Sequence, residues 1–249
     1  YYLVEDISRQ GKDFIKTSSI VARTDSGKLS TLYTAASGSA LKKIAVGDDG
    51  MVYFVEYGFE ENGTAALRRI ARSGGQAETL YTASGNANRI ETYVRYDGSI
   101  YILESDQRSN FPDNYRYRIG KLEGKTLKPL TQDMSFGETT YTKKSLYCFG
   151  GKLYYLYGDS ADVSHGYTFH NYSLWSIDLA SGKRERVIDG ADKSISLTDS
   201  AYTGATLWCL SSSGNSYDTL TRVNLLLPEL REAVAKLPKD AMKNYTKMY

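Results

Sequence analysis

The carboxylates are the first residues in this chain whose types and spacing could do chemistry. Glu5, Asp6, Glu56, Glu104 and Asp159 stand at the ends of the aromatic-rich stretches "YYLVED", "VYFVEY", "IYILES" and "LYYLYGD". Two carboxyls held about 5 to 9.5 Å apart can serve as acid and as nucleophile or base on a glycosidic bond. Glu56, Glu104 and Asp159 are therefore the candidate catalytic carboxylates of a glycan-active enzyme, a hydrolase or lyase. Recurrence at equivalent places suits a structural device equally, with each carboxylate tying down a loop, and that reading is favoured.

The histidines give a second constellation. His165 and His170 lie in "SADVSHGYTFHNY", with Asp159 and Asp162 close in sequence. Imidazoles and carboxylates at such spacing can ligate a metal ion. Two imidazoles without a third fixed ligand read more simply as exposed loop residues, so no metal is expected. The string "GKLEGKT" from Gly120 to Thr126 echoes a phosphate-binding loop, but its glycines are one residue too close. It also reads as strand–turn–strand, whereas phosphate binding needs a loop that feeds a helix N-terminus. The chain carries no GxSxG, HExxH or GxGxxG string, so no cofactor is expected.

The elements that hold these residues repeat. The stretches beginning at Tyr1, Val52, Ile100, Leu153 and Leu207 are 51, 48, 53 and 54 residues apart, and each has Tyr or Trp at its second position. Before four of them stand "DDG", "DG", "GG" and "TG", which suit two-residue hairpin turns. After them come further apolar strands: "SIVART", "LRRIAR", "YRIGKL", "LWSIDL" and "LTRVNL". Four of these meet a tight turn and then a last strand, "KLSTLYTA", "QAETLYTA", "TLKPLTQ" or "KRERVID". The unit is thus a four-stranded meander of about 50 residues, the sequence signature of a propeller blade.

The expected fold is all-β: a β-propeller of about five four-stranded blades in a single domain. The blades span approximately 1–35, 41–83, 89–133, 143–190 and 194–237. The first lacks its opening strand, and the segment 238–249, with "NYTKMY", is a candidate to close the ring. A larger ring of six to eight blades is the alternative. Leu230, Val234 and Leu237 recur at helical spacing after Pro228, so a short helix over 228–237 is expected in place of the last strand.

The phrases "LWSIDLASGKRERVI" and "LRRIARSGGQAETLY" resemble the repeats of bacterial extracytoplasmic β-propellers of the TolB-related kind, and of an uncharacterised propeller family of Gram-positive bacteria. The resemblance covers about four of the five repeats. It implies a propeller located outside the cytoplasm and supplies no active residues, because fold does not fix function.

Composition narrows the partners. A net charge of +2 over 249 residues, with basic residues scattered, gives no electrostatic case for nucleic acid or an anionic membrane. No apolar run approaches the roughly 18 residues a membrane span needs. The chain opens on "YYLVED" without an initiator Met, as a processed or truncated chain would. Cys148 and Cys209 read as buried small hydrophobes, with a single disulfide as the alternative. The connections after the second strand of each repeat are long and polar, and binding residues concentrate on loops held by a rigid scaffold. Their aromatics, with Phe14 and Phe59, include Phe111, Tyr115, Tyr167, Phe169, Tyr172 and Tyr217. With His170, the latter six are the candidate ligand-binding residues, for a protein or a glycan.

Overall fold

A computed structural model describes residues 1–10, 13–58, 64–83, 88–107, 115–131, 134–135, 145–164, 167–191, 195–212 and 217–237. The chain divides into two compact units. Unit 1 comprises Tyr1–Tyr93 and Gly98–Met134; unit 2 comprises Val94–Asp97 and Ser135–Tyr249. All regular structure among the described residues is β, and no helix occurs there.

The strands form consecutive antiparallel meanders. The first sheet is β1 (Tyr2–Gln10), β2 (Asp13–Arg23) and β3 (Leu29–Thr34), in that order. The second is β4 (Ser39–Val46), β5 (Met51–Gly58), β6 (Ala65–Ala71) and β7 (Glu78–Thr82). The third holds β8 (Asn88–Tyr96), β9 (Ser99–Gln107), β10 (Tyr115–Glu123) and β11 (Thr126–Pro129), and a two-residue β12 (Met134–Ser135) follows it in the chain. The fourth is β13 (Leu146–Phe149), β14 (Lys152–Ser164), β15 (Tyr167–Asp178) and β16 (Arg184–Ile188). The fifth is β17 (Ile195–Thr203), β18 (Thr206–Ser212), β19 (Tyr217–Asn224) and β20 (Arg231–Lys236).

The aromatic-rich stretches are the second strands of the four-stranded meanders, and they explain the lack of polar alternation. In β5, Val52 and Phe54 pack into a cluster with Ile20, Leu41 and Ile70, while Tyr53 and Val55 pack into another with Leu67, Tyr81 and Ile102. A strand buried on both faces must be apolar at odd and even positions alike. In unit 2, one cluster joins Tyr154, Leu156, Tyr172 and Leu174 of the fourth sheet to Leu207, Cys209 and Val223 of the fifth. The turn glycines also behave as their residue types require. Asp97 and Gly98, between β8 and β9, both have positive φ, 48° and 69°, as the hairpin turn needs.

Two expectations are corrected. The stretch 228–237 contains no helix: Arg231–Lys236 is β20, paired antiparallel with β19 from Thr219 to Val223. A helix needs a core to receive its apolar stripe, yet all six β20 residues are exposed. The open edge of β19, by contrast, offers backbone donors and acceptors that a strand satisfies. Second, the connections after β1 and β14 are mostly strand. The β1–β2 hairpin is paired out to Gln10 and Asp13, and β14–β15 out to Ser164 and Tyr167. The segments 238–249 and 108–114 lie outside the described residues.

Cys148 and Cys209 are free and buried. Burial pushes the Cys148 thiol up to about 12 and the Cys209 thiol up to about 11. Neither forms appreciable thiolate near neutral pH, and the thiolate is the reactive form. A thiol-specific disulfide reagent applied at about pH 8 is therefore expected to label neither residue in the native state and both after unfolding in guanidinium. Rapid labelling of the native protein would contradict this placement.

Candidate functional site

Glu56 closes the buried part of β5 and is 5% exposed. Its Oε2 accepts a hydrogen bond of 2.9 Å from the hydroxyl of Tyr33, on β3 of the preceding sheet. Its Oε1 accepts one of 2.9 Å from the backbone N–H of Ala36. Arg68 of β6 brings its Nε to 2.9 Å of the same carboxylate, an ion pair rather than an aligned hydrogen bond.

The third sheet repeats the arrangement. Glu104 of β9 is 1% exposed. Its Oε2 accepts from the Tyr81 hydroxyl of β7 at 2.9 Å and from Arg118 Nε of β10 at 3.1 Å. In both cases the tyrosine stands 23 residues before the glutamate. Each belongs to the twice-written phrase, "TLYTAASG" or "TLYTASG". The phrase therefore recurs because its tyrosine ties one sheet to the buried glutamate of the next. Arg68 and Arg118, on the neighbouring strand of the glutamate's own sheet, supply the positive charge that burying a carboxylate demands. The Oε1 of Glu104 has no hydrogen-bond partner among the described residues.

The later sheets do not carry this clamp. At the position equivalent to Glu56 and Glu104, β14 has Tyr157 and β18 has Ser211. The preceding strands β11 (TLKP) and β16 (RERVI) lack the tyrosine as well. In the fourth sheet the Arg184 guanidinium lies over the rings of Trp175, Tyr157 and Tyr155, at 4.3, 5.0 and 5.5 Å from their centroids. Burial pushes the Tyr155 hydroxyl up to about 12 against the opposing pull of Arg184. In the fifth sheet, Ser211 Oγ and Thr221 Oγ1 pair at 2.6 Å.

The other candidates fall as follows. Glu5 is exposed and stands opposite Ser18 on β2, and Asp6 stands opposite Thr17. Asp159 occupies a register shift of β14, between Gly158 opposite Tyr172 and Ser160 opposite Asn171. His170 pairs with Ala161, Phe169 with Asp162, and Tyr167 with Ser164, all within the β14–β15 ribbon. Tyr115 opens β10 opposite Gln107, and Tyr217 opens β19 opposite Ser212. Tyr172 is 8% exposed and belongs to the core of unit 2. Phe111 and His165 lie outside the described residues, among which no three His, Cys, Asp or Glu side chains gather as a metal site. The tyrosines of the clamps, Tyr33 and Tyr81, and the arginines Arg68 and Arg118 are the partners that reading single motifs misses. The signal for them is co-occurrence: a strand ending "LYT" precedes each of the two sheets with the buried glutamate.

The clamp has a pH signature. Tyr33 is pushed up to about 12, chiefly by burial and then by its bond to Glu56, and Tyr81 is raised further for the same reasons. A raised tyrosine pKa means that the folded state holds its proton longer than the unfolded chain. The contribution is therefore complete below about pH 10 and is lost as pH rises from about 10 through about 12. Tyr33→Phe is expected to lower the urea midpoint at about pH 8 and to give a shallower decline between about pH 10 and 12 than the wild type. An unchanged slope would contradict the assignment.

No protein family and no curated protein matches the chain in sequence. Solved structures do match in fold. An oligogalacturonate lyase in complex with manganese superposes with a TM-score of 0.58 at 11% identity, over 89% of this chain and 62% of the lyase. A chain of a nidogen/laminin complex matches at 0.50 and 12% identity, over 92% of this chain and 76% of that one. The tricorn protease matches at 0.56 and 10% identity, over 94% of this chain and 26% of the protease. This chain therefore spans less than two thirds of the length of the lyase. These are β-propeller proteins, and the chain folds as a β-propeller.

Proposed function

We propose that the chain is a non-catalytic propeller of five blades, located outside the cytoplasm, that binds a protein or glycan through the connections between the second and third strands of its blades. The observation that carries this reading is the condition of the candidate carboxylates. Glu56 and Glu104 are buried and already bonded to Tyr33 with Arg68 and to Tyr81 with Arg118. A carboxyl that must protonate or attack a sugar needs to reach it; these two fasten sheets instead.

The length of the β14–β15 ribbon supports a binding role for such a connection. β13 pairs only with Lys152–Tyr155, and β16 only with Leu174–Ile177. From Gly158 to Ser164 the hairpin therefore runs beyond its flanking strands, carrying Tyr167, Phe169 and His170 on the return strand. A ribbon of two strands in water is marginal by itself; this one continues from a four-stranded base, and recognition residues concentrate on segments that such a scaffold holds. The location outside the cytoplasm rests on the resemblance of the third and fourth strands to extracytoplasmic propeller repeats.

The second reading is a glycan-active enzyme, favoured by the fold likeness to oligogalacturonate lyase. One experiment separates the two. Immobilised glycans and candidate surface proteins are screened for binding, and the same glycans are assayed for cleavage. Tyr115→Ala, Tyr167→Ala and Tyr217→Ala together are expected to weaken binding by about tenfold or more, with no turnover in any sample. Glu56→Gln and Glu104→Gln leave affinity unchanged in whatever fraction stays folded. Cleavage that disappears in the two Gln variants would overturn the binding reading.

A further inference from the structure

Two non-glycine residues among those described have positive φ, Lys43 at 53° and Asp97 at 48°. Asp97 sits in an Asp-Gly hairpin turn, where such a conformation is ordinary. Lys43 sits inside β4, where it is not. The register passes from Lys42 opposite Val55 to Ala45 opposite Tyr53, so Lys43 and Ile44 together oppose Phe54. This is a bulge of the kind whose first residue, in the left-handed region, is ordinarily glycine. Here it is lysine, with the side chain exposed.

Packing does not account for the extra residue. Leu41 and Ile44 both pack towards the cluster containing Ile20 and Phe54, and Ala45 packs towards the one containing Tyr53 and Ile102. Without Lys43, the order Leu41, Lys42, Ile44, Ala45 would alternate between the two faces with no interruption. The bulge thus adds one residue that serves neither core. It is held in place: the Tyr93 hydroxyl of β8 donates to the Lys43 carbonyl at 2.8 Å. Beside it Lys42 is also exposed, its Nζ 4.1 Å from the centroid of the Tyr57 ring. Among the described residues neither lysine pairs with a carboxylate. Strained backbone that the surroundings hold fixed marks positions kept for a purpose other than stability.

We propose that Lys42 and Lys43 form an anion-binding step on β4 that takes an acidic glycan, its carboxylate or sulfate groups meeting the exposed Lys43 ammonium and that of Lys42 beside the Tyr57 ring. Lysine gives mobile point charges suited to a chain of spaced anionic groups, whereas acidic peptide motifs are usually read by arginine clusters with their bidentate fork. The bulge lies midway along β4, and the Lys42 side chain reaches the ring of Tyr57, next to Gly58, which pairs with Ser39 and precedes the β5–β6 connection. The step rests on the proposed reading of that connection as a binding surface and names the chemistry of its ligand.

The test uses the whole chain and, as probe, a hexameric oligomer of uronic acid, with a neutral hexasaccharide and a hexaglutamate peptide as controls, read by calorimetry. Lys42→Gln and Lys43→Gly are each expected to weaken binding of the uronate about three- to fivefold. Lys43→Arg retains it, and added salt weakens it in the wild type. Lys43→Gly relieves the backbone, so its Tm does not fall; Lys43→Gln, which keeps the strain, serves as the second charge-removing variant. Absence of uronate binding by the wild type, unchanged affinity in both Lys43 variants, or equal affinity for hexaglutamate would overturn the proposal. Lysine variants that bind normally while the Tyr115, Tyr167 and Tyr217 variants do not would sink this inference alone and leave the loop reading standing.

Discussion

A carboxylate taken out of water must be given donors and a countercharge, and much of unit 1 is arranged around that requirement. Glu56 and Glu104 are buried within β5 and β9, after residues that are apolar on both faces. Each is held from two directions: by a tyrosine hydroxyl from the preceding sheet and by an arginine from the next strand of its own. Apolar packing alone brings sheets together but is tolerant of small slides. A charged hydrogen bond between defined atoms is directional, and removing either partner leaves the other desolvated. The clamps thereby fix the register of one sheet against the next, which the apolar clusters around Phe54 and Tyr53 then fill.

Among its described residues, unit 2 solves the same positional problem without a buried charge. Tyr157 and Ser211 stand where the glutamates would be, and Arg184 spreads over an aromatic group instead of pairing with a carboxylate. A cation over ring faces needs no deep desolvation of an anion, and Arg184 accordingly stands at an exposed position. The sheets are thus repeats in backbone and in apolar pattern, while the polar fasteners are chosen sheet by sheet. That separation leaves function free to sit on features outside the repeat, such as the β14–β15 ribbon and the bulge at Lys43.

The backbone was largely legible because its signal is redundant. Tyr or Trp at the second position of five stretches, with glycine turns before four of them, marks the meanders, and β5, β9, β14 and β18 lie where those stretches are. The helical reading of 228–237 failed for a physical reason. Leu230, Val234 and Leu237 do fit a helical period, but periodicity over ten residues is weak against an open strand edge at β19 that needs a partner. The long ribbons look like loops in the sequence because "SADVSHGYTFHNY" is too polar to look like strand, and pairing between two polar strands leaves no hydrophobic alternation. The clamps were half legible. The recurrence of Glu56 and Glu104 is visible in the sequence, and so is the repeated "TLYT", but only the fold shows that one is the partner of the other. Lys43 was invisible, since nothing in "LKKIAV" announces a bulge.

The central claim is that the buried glutamates Glu56 and Glu104 are fasteners between sheets. The most direct test is a double-mutant cycle on Tyr81→Phe and Glu104→Gln, with stability measured by urea unfolding at about pH 7. The account predicts that each single change destabilises and that the pair is coupled by about 1 to 3 kcal/mol. Additive effects with no coupling, together with a Glu104→Gln variant as stable as the wild type, would contradict it.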